Sequence, residues 1–207
     1  MSLHEKEFGT DTRHIAFGWD SDDRGEIAQF EERGFAFESM VVLKLNQLIR
    51  PEKFNHHLDI HTIETDDEWK EITELQIEAG FEGGDLAVYR SFKERLMKRY
   101  RVIQDQKAGA WWGAFLNGVA VGDMGLFFDE KKEIGRFQHI GTSSKFRRLG
   151  VCSTLLYEVC RKGIETTPNL IIGAEKDGMP ESIYRSLGFE FCSLQLGLIW
   201  NRASEKG

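Results

Sequence analysis

The residues best suited to chemistry lie in one short stretch, SSKFRRLGVC (143–152), where hydroxyl and cationic side chains precede a single glycine. Apolar residues then recur at helical spacing, at Val151, Leu155, Leu156, Val159 and Cys160. A polar turn that leads into a helix exposes free backbone N–H groups and the positive end of the helix dipole. Because Gly150 has no Cβ, the backbone there can approach another group closely. The stretch therefore predicts an anion-binding site.

The sequence lacks two common phosphate-binding loops. It contains no G-x-x-x-x-G-K-[ST] pattern, which excludes a P-loop, and no G-x-G-x-x-G on the first strand of a β-α-β unit, which leaves a dinucleotide-binding fold unsupported. The 207 residues carry a net charge of −7, and the pI is about 5.5. Nucleic-acid-binding proteins usually carry a basic face, so nucleic acid is not expected as the partner.

The elements before this stretch begin with a strand and two helices. HLDIHTI (57–63) alternates as a strand does, and Thr65 and Glu68 form a capping box that opens a helix. Two helical stripes of apolar residues follow, first Trp69, Ile72, Leu75 and Ala79, then Val88, Phe92, Leu96, Tyr100 and Ile103.

A β-meander and a β-α-β unit come next. Asn117-Gly118 predicts a hairpin within AWWGAFLNGVAVGDMGLFF, and residues 134–142 predict a third strand. The helix of the anion-binding stretch is expected to end before Pro168, and LIIGA (170–174) reads as a buried parallel strand. The polar turn thus lies at the carboxyl end of the first strand, where ligands of α/β sheets bind.

The remaining residues predict a short helix ended by Gly188 and then an antiparallel pair of strands within EFCSLQLGLIW. The predicted fold class is α/β in the broad sense (α+β). It has a mixed, mostly antiparallel sheet with a central parallel β-α-β unit and flanking helices.

The first motif that resembles a known family is FRRLGVC. It resembles the R-x-x-G-x-[GA] motif of the GNAT superfamily of N-acetyltransferases, with Arg147 and Gly150 at defined positions. Cys152 departs from the Gly or Ala of the third position.

A second motif lies downstream in DGMPESIYRSLGF. It resembles the superfamily segment N-x-x-A-x-x-x-Y-x-x-x-G-F, with Tyr184, Gly188 and Phe189 matching. Asp177 stands in place of the Asn and Pro180 in place of the Ala. The two motifs occur in the family's order and on the predicted elements, and the resemblance covers about residues 57–200.

The resemblance implies a GNAT fold with acetyl-coenzyme A as cofactor. The pyrophosphate would be held by backbone N–H groups from about Arg148 to Cys152. The pantetheine arm would lie along the end of the preceding strand and enter a splay between that strand and residues 170–174. The implied cofactor-binding residues are Ile140, Gly141, Thr142, Arg147, Arg148, Leu149, Gly150, Val151, Cys152 and Asp177.

The implied chemistry is attack of an amine on a thioester. An alkyl ammonium has a pKa of about 10 and must lose a proton before it attacks. Tyr184 occupies the position of the family's acid and would protonate the departing thiolate, while backbone N–H near Ile140 would stabilise the oxyanion. The base is left open among Glu133, His139, Glu175 and a chain of waters.

The acceptor is expected to be a small primary amine, such as an amino acid, a polyamine or an amino sugar. Its pocket should involve AGFEGGDLAVY (79–89), where Gly83-Gly84 predicts a mobile loop and Glu82 and Asp85 could attract a cation. The competing hypothesis is a non-catalytic acyl-CoA-binding sensor or interaction protein on the same fold, because fold does not fix function.

Metal, disulfide and membrane features are not expected. His57 and His61 stand four apart, but their segment alternates as a strand rather than a helix, so no metal site is predicted. Three cysteines at unrelated spacings form no disulfide framework or zinc pattern. No apolar run reaches membrane length and the N-terminus lacks the apolar core of a signal peptide, so a cytoplasmic location is expected.

The first fifty residues contain an internal repeat. AQFEERGFAFESMVVLKLN aligns without a gap over SIYRSLGFEFCSLQLGLIW, and HIAFGWD resembles LIIGAEK. Residues 1–50 are therefore interpreted as a degenerate GNAT-like half unit (strand, helix, two strands) before a GNAT domain at 57–202. This half unit has no glycine turn, and Phe30 replaces the tyrosine. We expect it to cover part of the sheet or to form a homodimer contact.

Overall fold

A computed structural model describes residues 14–201 of the protein. The strands are β1 (His14–Asp20), β2 (Ala36–Leu45), β3 (Leu58–Thr62), β4 (Gly109–Leu116), β5 (Val119–Phe128), β6 (Gly135–Thr142), β7 (Leu170–Glu175) and β8 (Phe189–Asn201). The helices are α1 (Ala28–Glu31), α2 (Asp66–Gly80), α3 (Leu86–Asp105), α4 (Val151–Ile164) and α5 (Met179–Ser186), with a 3₁₀-helix at Ser144–Phe146.

The strands belong to one mixed sheet in the order β1-β8-β2-β7-β6-β5-β4-β3. The β1–β8, β3–β4, β4–β5 and β5–β6 pairs are antiparallel. β6 and β7 are parallel and are joined by α4, which is the β-α-β unit. The predicted fold class, a mixed and mostly antiparallel sheet with one parallel unit and flanking helices, is confirmed.

Local sequence signals formed the elements they predicted. Thr65 Oγ1 accepts a hydrogen bond from Glu68 N while the Glu68 carboxylate accepts one from Thr65 N, so the capping box opens α2. Asn117 and Gly118 both have positive φ (53° and 77°) and join β4 to β5 in a tight hairpin.

The predicted division of the C-terminal residues into two strands was wrong. β8 is one strand of 13 residues, and β2, its counterpart in the repeat, is one strand of 10. No Asn-Gly or Pro interrupts EFCSLQLGLIW, and Gly197 pairs with Gly18 of β1 as an ordinary ladder residue. A glycine in a strand therefore did not mark a turn here.

The apolar stripe predicted for α3 is only partly buried. Val88 and Phe92 at its start are 62% and 49% exposed, whereas Met97, which the predicted stripe omitted, is 2% exposed. The first half of α3 thus presents apolar side chains to solvent.

Two compact units can be separated, and the larger comprises residues 43–172 and 182–190. In this unit Gln76 of α2 contacts the Asp123 side chain of β5, while Val151 of α4 lies over Gly122. Because neighbouring residues of a strand face opposite sides, α2 and α4 cover opposite faces of the sheet. The core on the α2–α3 side consists of Ile63, Trp69, Ile72, Leu75, Met97, Trp111, Phe115 and Ala120.

The smaller unit comprises, of the described residues, 14–42, 173–181 and 191–201. It contains a partly exposed cluster of aromatic rings: Phe35 lies 5.9 Å from Phe17, 5.7 Å from Phe30 and 6.5 Å from Trp200 between ring centroids. The N-terminal segment therefore packs with β8. A separate domain at 1–50 stays a prediction.

Candidate active site

The predicted anion-binding turn lies at the start of α4. Arg148 and Gly150 adopt left-handed conformations (φ 64° and 75°), and α4 begins at Val151. Among the described residues no acceptor meets the backbone N–H groups of Val151, Cys152 and Ser153. These groups and the exposed side chains of Arg147 and Arg148 give the turn a positive character.

The turn is held by the chain segment just before β3, which the sequence did not reveal. Lys53 Nζ donates to Arg148 O, and Asn55 Nδ2 donates to Leu149 O at 3.0 Å. Asn55 N donates to Thr154 Oγ1 at 2.9 Å. These bonds use carbonyl and hydroxyl oxygens of the turn and of α4, so the helix N–H groups stay open.

Gly150 is required by this same segment. A Cβ built at Gly150 would lie 2.5 Å from Lys53 O, in a backbone region that L-residues rarely adopt. From the sequence, a ligand was expected to make the close approach to Gly150, but in the structure the chain's own backbone makes it. No motif in PEKFN signalled this contact.

The strand before the turn has an open edge. β6 pairs with β7 at Gly135–Leu170 and Arg136–Ile171 and at no later position. Ile140, Gly141 and Thr142 therefore lie in a part of β6 that has separated from β7. Main-chain groups there are available to an extended ligand. Thr142 Oγ1 is buried without a hydrogen-bond partner among the described residues.

Tyr184 of α5 is buried, with 5% of its surface exposed. Burial raises its pKa well above the ordinary value, and Cys152 adds to the rise. Burial also raises the pKa of Cys152 to about 11. The structure therefore brings Tyr184 into the electrostatic reach of the helix start, with both groups neutral at pH 7. Within residues 14–201 the Tyr184 hydroxyl makes no hydrogen bond.

Asp177, which stands where the family motif has Asn, lies in the turn between β7 and α5. Its φ is 61°, and its backbone N donates to Glu181 Oε2 at 2.7 Å. Its exposed side chain makes no hydrogen bond with a described residue. The local role visible here belongs to its backbone.

The three candidate bases lie in different surroundings. Glu133 is exposed before the start of β6, and its carbonyl accepts from Thr167 Oγ1 at 2.8 Å. Glu175 is exposed at the end of β7. His139 lies on β6 next to Ile140, with Nε2 3.5 Å from Asp123 Oδ1 and its ring 6.3 Å from that of Trp111.

Asp123 was missed by the sequence argument. Its side chain is completely buried, and Oδ2 accepts from Gln76 Nε2 at 2.7 Å and from Trp111 Nε1 at 3.0 Å. Gln76 Oε1 in turn accepts from Lys93 Nζ at 3.3 Å. Burial lowers the pKa of Lys93, and the charge of Asp123 opposes that shift. The available signal was an acidic residue in the middle of the apolar run VAVGDMGLFF.

The predicted acceptor loop gives Asp85 a structural role. Asp85 Oδ1 accepts from Ala87 N at 2.8 Å and from Val88 N at 3.2 Å, and so caps α3. Glu82 is exposed, and Gly83 and Gly84 have positive φ.

His61 of the HHLDIH segment is used in an ion-pair cluster. Its Nε2 lies 3.0 Å from Glu68 Oε1, its Nδ1 lies 3.4 Å from Asp59 Oδ1, and its ring stacks on Phe115. Burial lowers the pKa of His61, but the bonds to Glu68 and Asp59 outweigh it, so the pKa is raised. The part of the chain that the structure describes contains no group of three or more metal-ligating side chains.

The comparison with known families is decisive. The model of the acetyltransferase (GNAT) family matches residues 69–189, which is more than half of the chain. The chain belongs to the GNAT acetyltransferase family. This match spans the open edge of β6, the turn at Gly150 and Tyr184. No curated protein sequence matches the chain.

Solved structures share the GNAT fold at low identity. A functionally unknown conserved protein from Staphylococcus epidermidis is 14% identical with a TM-score of 0.70, covering 92% of this chain and 73% of that one. A GCN5-related N-acetyltransferase from Kribbella flavida is 15% identical with a TM-score of 0.65, covering 98% and 74%. A tandem GNAT protein from the clavulanic acid biosynthesis pathway is 13% identical with a TM-score of 0.64, covering 98% and 69%. No helix within residues 14–201 of this GNAT chain is long and apolar enough to cross a membrane.

Proposed function

We propose that the protein is an N-acetyltransferase that transfers the acetyl group of acetyl-CoA to the primary amine of a small molecule. The observation that carries the proposal is the open edge of β6 leading directly into the turn at Gly150. An extended ligand with an anionic end would find main-chain groups along the strand and free N–H groups at the helix start.

The residues present fit coenzyme A. The N–H groups of Val151, Cys152 and Ser153, with Arg147 and Arg148, would hold the pyrophosphate. The main chain of residues 140–142 would bind the amides of the pantetheine arm. When bound, acetyl-CoA would supply an acetyl thioester, which reacts with an unprotonated amine.

Tyr184 would supply the proton that the departing sulfur needs. Its raised pKa keeps the phenol protonated at neutral pH, and its hydroxyl is not engaged by another described residue. A buried phenolate would be costly, so the donated proton must be replaced at once. The surplus proton of the newly formed amide nitrogen is the natural replacement.

The acceptor would bind on the α2–α3 side of the sheet. Exposed apolar side chains at the start of α3, Val88 and Phe92, stand near the exposed carboxylate of Glu82 in sequence. Apolar contacts with a nearby acid suit a small cationic amine. The net charge of −7 favours a cationic small molecule over a basic protein surface.

The test is a panel of primary amines with acetyl-CoA. Lysine, putrescine and glucosamine represent amino acids, polyamines and amino sugars, and release of free thiol is followed together with the mass of the acetylated amine. We expect thiol release that depends on one class of amine. Binding of coenzyme A without release for any amine would contradict the proposal.

The non-catalytic alternative uses the same cofactor site. The Lys53 backbone lies against the turn but leaves the N–H groups of the helix start open, so cofactor binding alone does not separate the two hypotheses. An acyl-CoA sensor would bind the cofactor without turning it over. Calorimetry with coenzyme A, run beside the amine panel, separates an enzyme from a sensor and from a protein that binds neither.

A further inference from the structure

Asp123 is a buried acidic side chain with an unsatisfied oxygen. Its side chain is 0% exposed, and Oδ1 has no hydrogen-bond partner among the described residues, while Oδ2 has two. Burying a polar atom without a partner destabilises a protein. Groups retained at such a cost are concentrated at functional sites.

The unsatisfied oxygen faces His139. Nε2 of His139 lies 3.5 Å from Asp123 Oδ1, slightly too far for a hydrogen bond. The other ring nitrogen, Nδ1, makes no hydrogen bond with a described residue, and the His139 side chain is 31% exposed. His139 therefore connects a buried acid to solvent.

The backbone conformation of β6 directs the His139 side chain toward Asp123. The β5–β6 pairing shifts between Met124 and Gly125, which leaves His139 as an extra residue in β6 with a positive φ of 40°. A bulge redirects a side chain, and positive φ is strained for a non-glycine residue. The strand thus holds an unfavourable conformation at this one position.

Gly141 leaves the space in which the two side chains meet. A Cβ at Gly141 would lie 2.6 Å from Asp123 Oδ1 and 2.7 Å from His139 Nε2. Any other residue would push the two groups apart or displace one of them. Gly141 also lies on the open edge of β6, beside the proposed path of the acetyl donor.

We propose that His139 accepts the proton of the acceptor's ammonium group and that Asp123 positions it for that task. The inference rests on the proposed function and assigns its missing base. It also specifies the acceptor as an amine that arrives as a cation. Gln76 and Trp111 hold Asp123 by hydrogen bonds to Oδ2, and Lys93 hydrogen-bonds Gln76 rather than Asp123.

A neutral His139 with its hydrogen on Nε2 directs that hydrogen at Asp123 and keeps a lone pair on Nδ1. Nδ1 takes one proton from the ammonium, which leaves a neutral amine with a lone pair for the C–N bond. The ring becomes a cation next to the acid, and it later releases this proton to solvent through its exposed edge.

The first test separates a functional role from a structural one. Asp123→Asn keeps the shape and an oxygen for Gln76 and Trp111, but removes the unsatisfied acid oxygen. We expect an unchanged or higher midpoint of urea unfolding together with a fall of at least about 100-fold in thiol release. A lower midpoint with a proportionate loss of activity would assign Asp123 to the fold alone.

The second test is chemical rescue. His139→Ala should lose about 100-fold or more in kcat with whichever of lysine, putrescine or glucosamine is acetylated, and added imidazole should restore part of it. Coenzyme A affinity by calorimetry should stay unchanged. The matched control is His61→Ala, which also removes a histidine paired with acids but lies outside the site, and imidazole should not alter its rate.

The outcomes are distinguishable. If no amine is acetylated by the wild-type protein, the proposed function fails and this inference fails with it. If the wild-type protein is active and His139→Ala stays within about threefold of it, or loses activity without rescue by imidazole, the proton-accepting role alone is overturned.

Discussion

At the scale of single residues, Gly150 has a structural role in addition to its proposed role in binding coenzyme A. Its backbone is left-handed (φ 75°), and a Cβ placed at this position would lie 2.5 Å from Lys53 O. Both features exclude larger residues. The family motif has glycine at this position, and the contact with Lys53 is an additional reason for a glycine there in this chain. Substitution at Gly150 is therefore expected to affect stability as well as the proposed binding of coenzyme A.

Gly118 provides the matched comparison for Gly150. Its φ of 77° is nearly the same, but a Cβ there meets nothing within 4 Å. Backbone strain of about 1–2 kcal/mol is expected for alanine at either position. Gly150→Ala should lose a further ~1–3 kcal/mol in urea unfolding, because the Lys53 backbone must move. Equal losses for the two variants would show that Lys53 does not constrain the turn.

Tyr184 gives a second prediction at this scale. Tyr184→Phe keeps the ring that packs 6.3 Å from Phe189 but removes the proposed proton donor. The free energy of unfolding should change by about 1 kcal/mol or less. kcat should fall about 10²- to 10⁴-fold while the Kd of coenzyme A stays nearly constant, as expected for an interaction made mainly in the transition state.

The control for Tyr184→Phe is the rate of the chemical step. Single-turnover kinetics should show the same fall as kcat when chemistry limits the rate. A variant within about threefold of wild type in single turnover would leave solvent as the proton source.

At the scale of elements, the start of α2 combines a helix cap with an ion pair. Backbone N–H groups of Thr65 and Glu64, and then His61, lower the pKa of Glu68 from 4.5 to about 2. A lowered pKa stabilises the fold above the unfolded value of 4.5, and the contribution is lost as pH falls from there toward 2. The pKa of His61 is raised from 6.5, so His61 stays charged over this window.

Glu68→Gln tests this element. At about pH 5.5 the wild-type protein should be more stable than the variant by about 1 kcal/mol, because glutamine can keep the capping box but loses the charge that favours the helix start and His61. At about pH 3 the difference should shrink, because the unfolded wild-type chain then takes up a proton at Glu68 that the folded chain does not, and the variant has no such group. Urea unfolding at both pH values measures it. A difference that stays constant between them would contradict the lowered pKa.

The β6 strand shows how one element can serve two purposes. Its first two residues pair with β7 and close the β-α-β unit, whereas its last residues leave β7 and form an open edge. The bulge at His139 occurs in this second part. Regular pairing and the irregular part that carries the proposed site are thus divided along one strand.

At the scale of the whole molecule, the N-terminal segment is tied to the C-terminal strand. β1 pairs with β8 from His14–Asn201 to Asp20–Gln195, and Phe35 contacts Trp200. Removing residues 1–50 would remove β1 and β2, the two neighbours of β8 in the sheet, and would take away the rings that pack near Trp200. We expect aggregation or a change of oligomeric state, measured by light scattering.

One outcome of the deletion experiment would contradict this expectation. A soluble truncate with the mass of one chain and undiminished thiol release would show that residues 1–50 are dispensable. It would also overturn their proposed role in covering the sheet or forming a homodimer. Wild-type protein measured at the same concentration supplies the reference mass.

Local patterns predicted much of this molecule because they act over a few residues. The Thr65–Glu68 box, the Asn117-Gly118 hairpin and the strand–helix–strand order around Gly150 each depend on neighbours in sequence. The GNAT motifs, which predicted the family, are also short and contiguous. The single strand β8 escaped prediction because strand length depends on partner strands rather than on its own residues.

Contacts between residues distant in sequence were decided only by the tertiary structure. Lys53 meets the turn across about a hundred residues, and Asp123 of β5 meets Gln76, Trp111 and His139 from three other elements. Residue types alone identified His139 as one base among several, since Glu133 and Glu175 carry equally suitable groups. His139 differs from them in the structure, because it lies at a bulge in β6 beside the unsatisfied oxygen of buried Asp123, which is the basis of its proposed role.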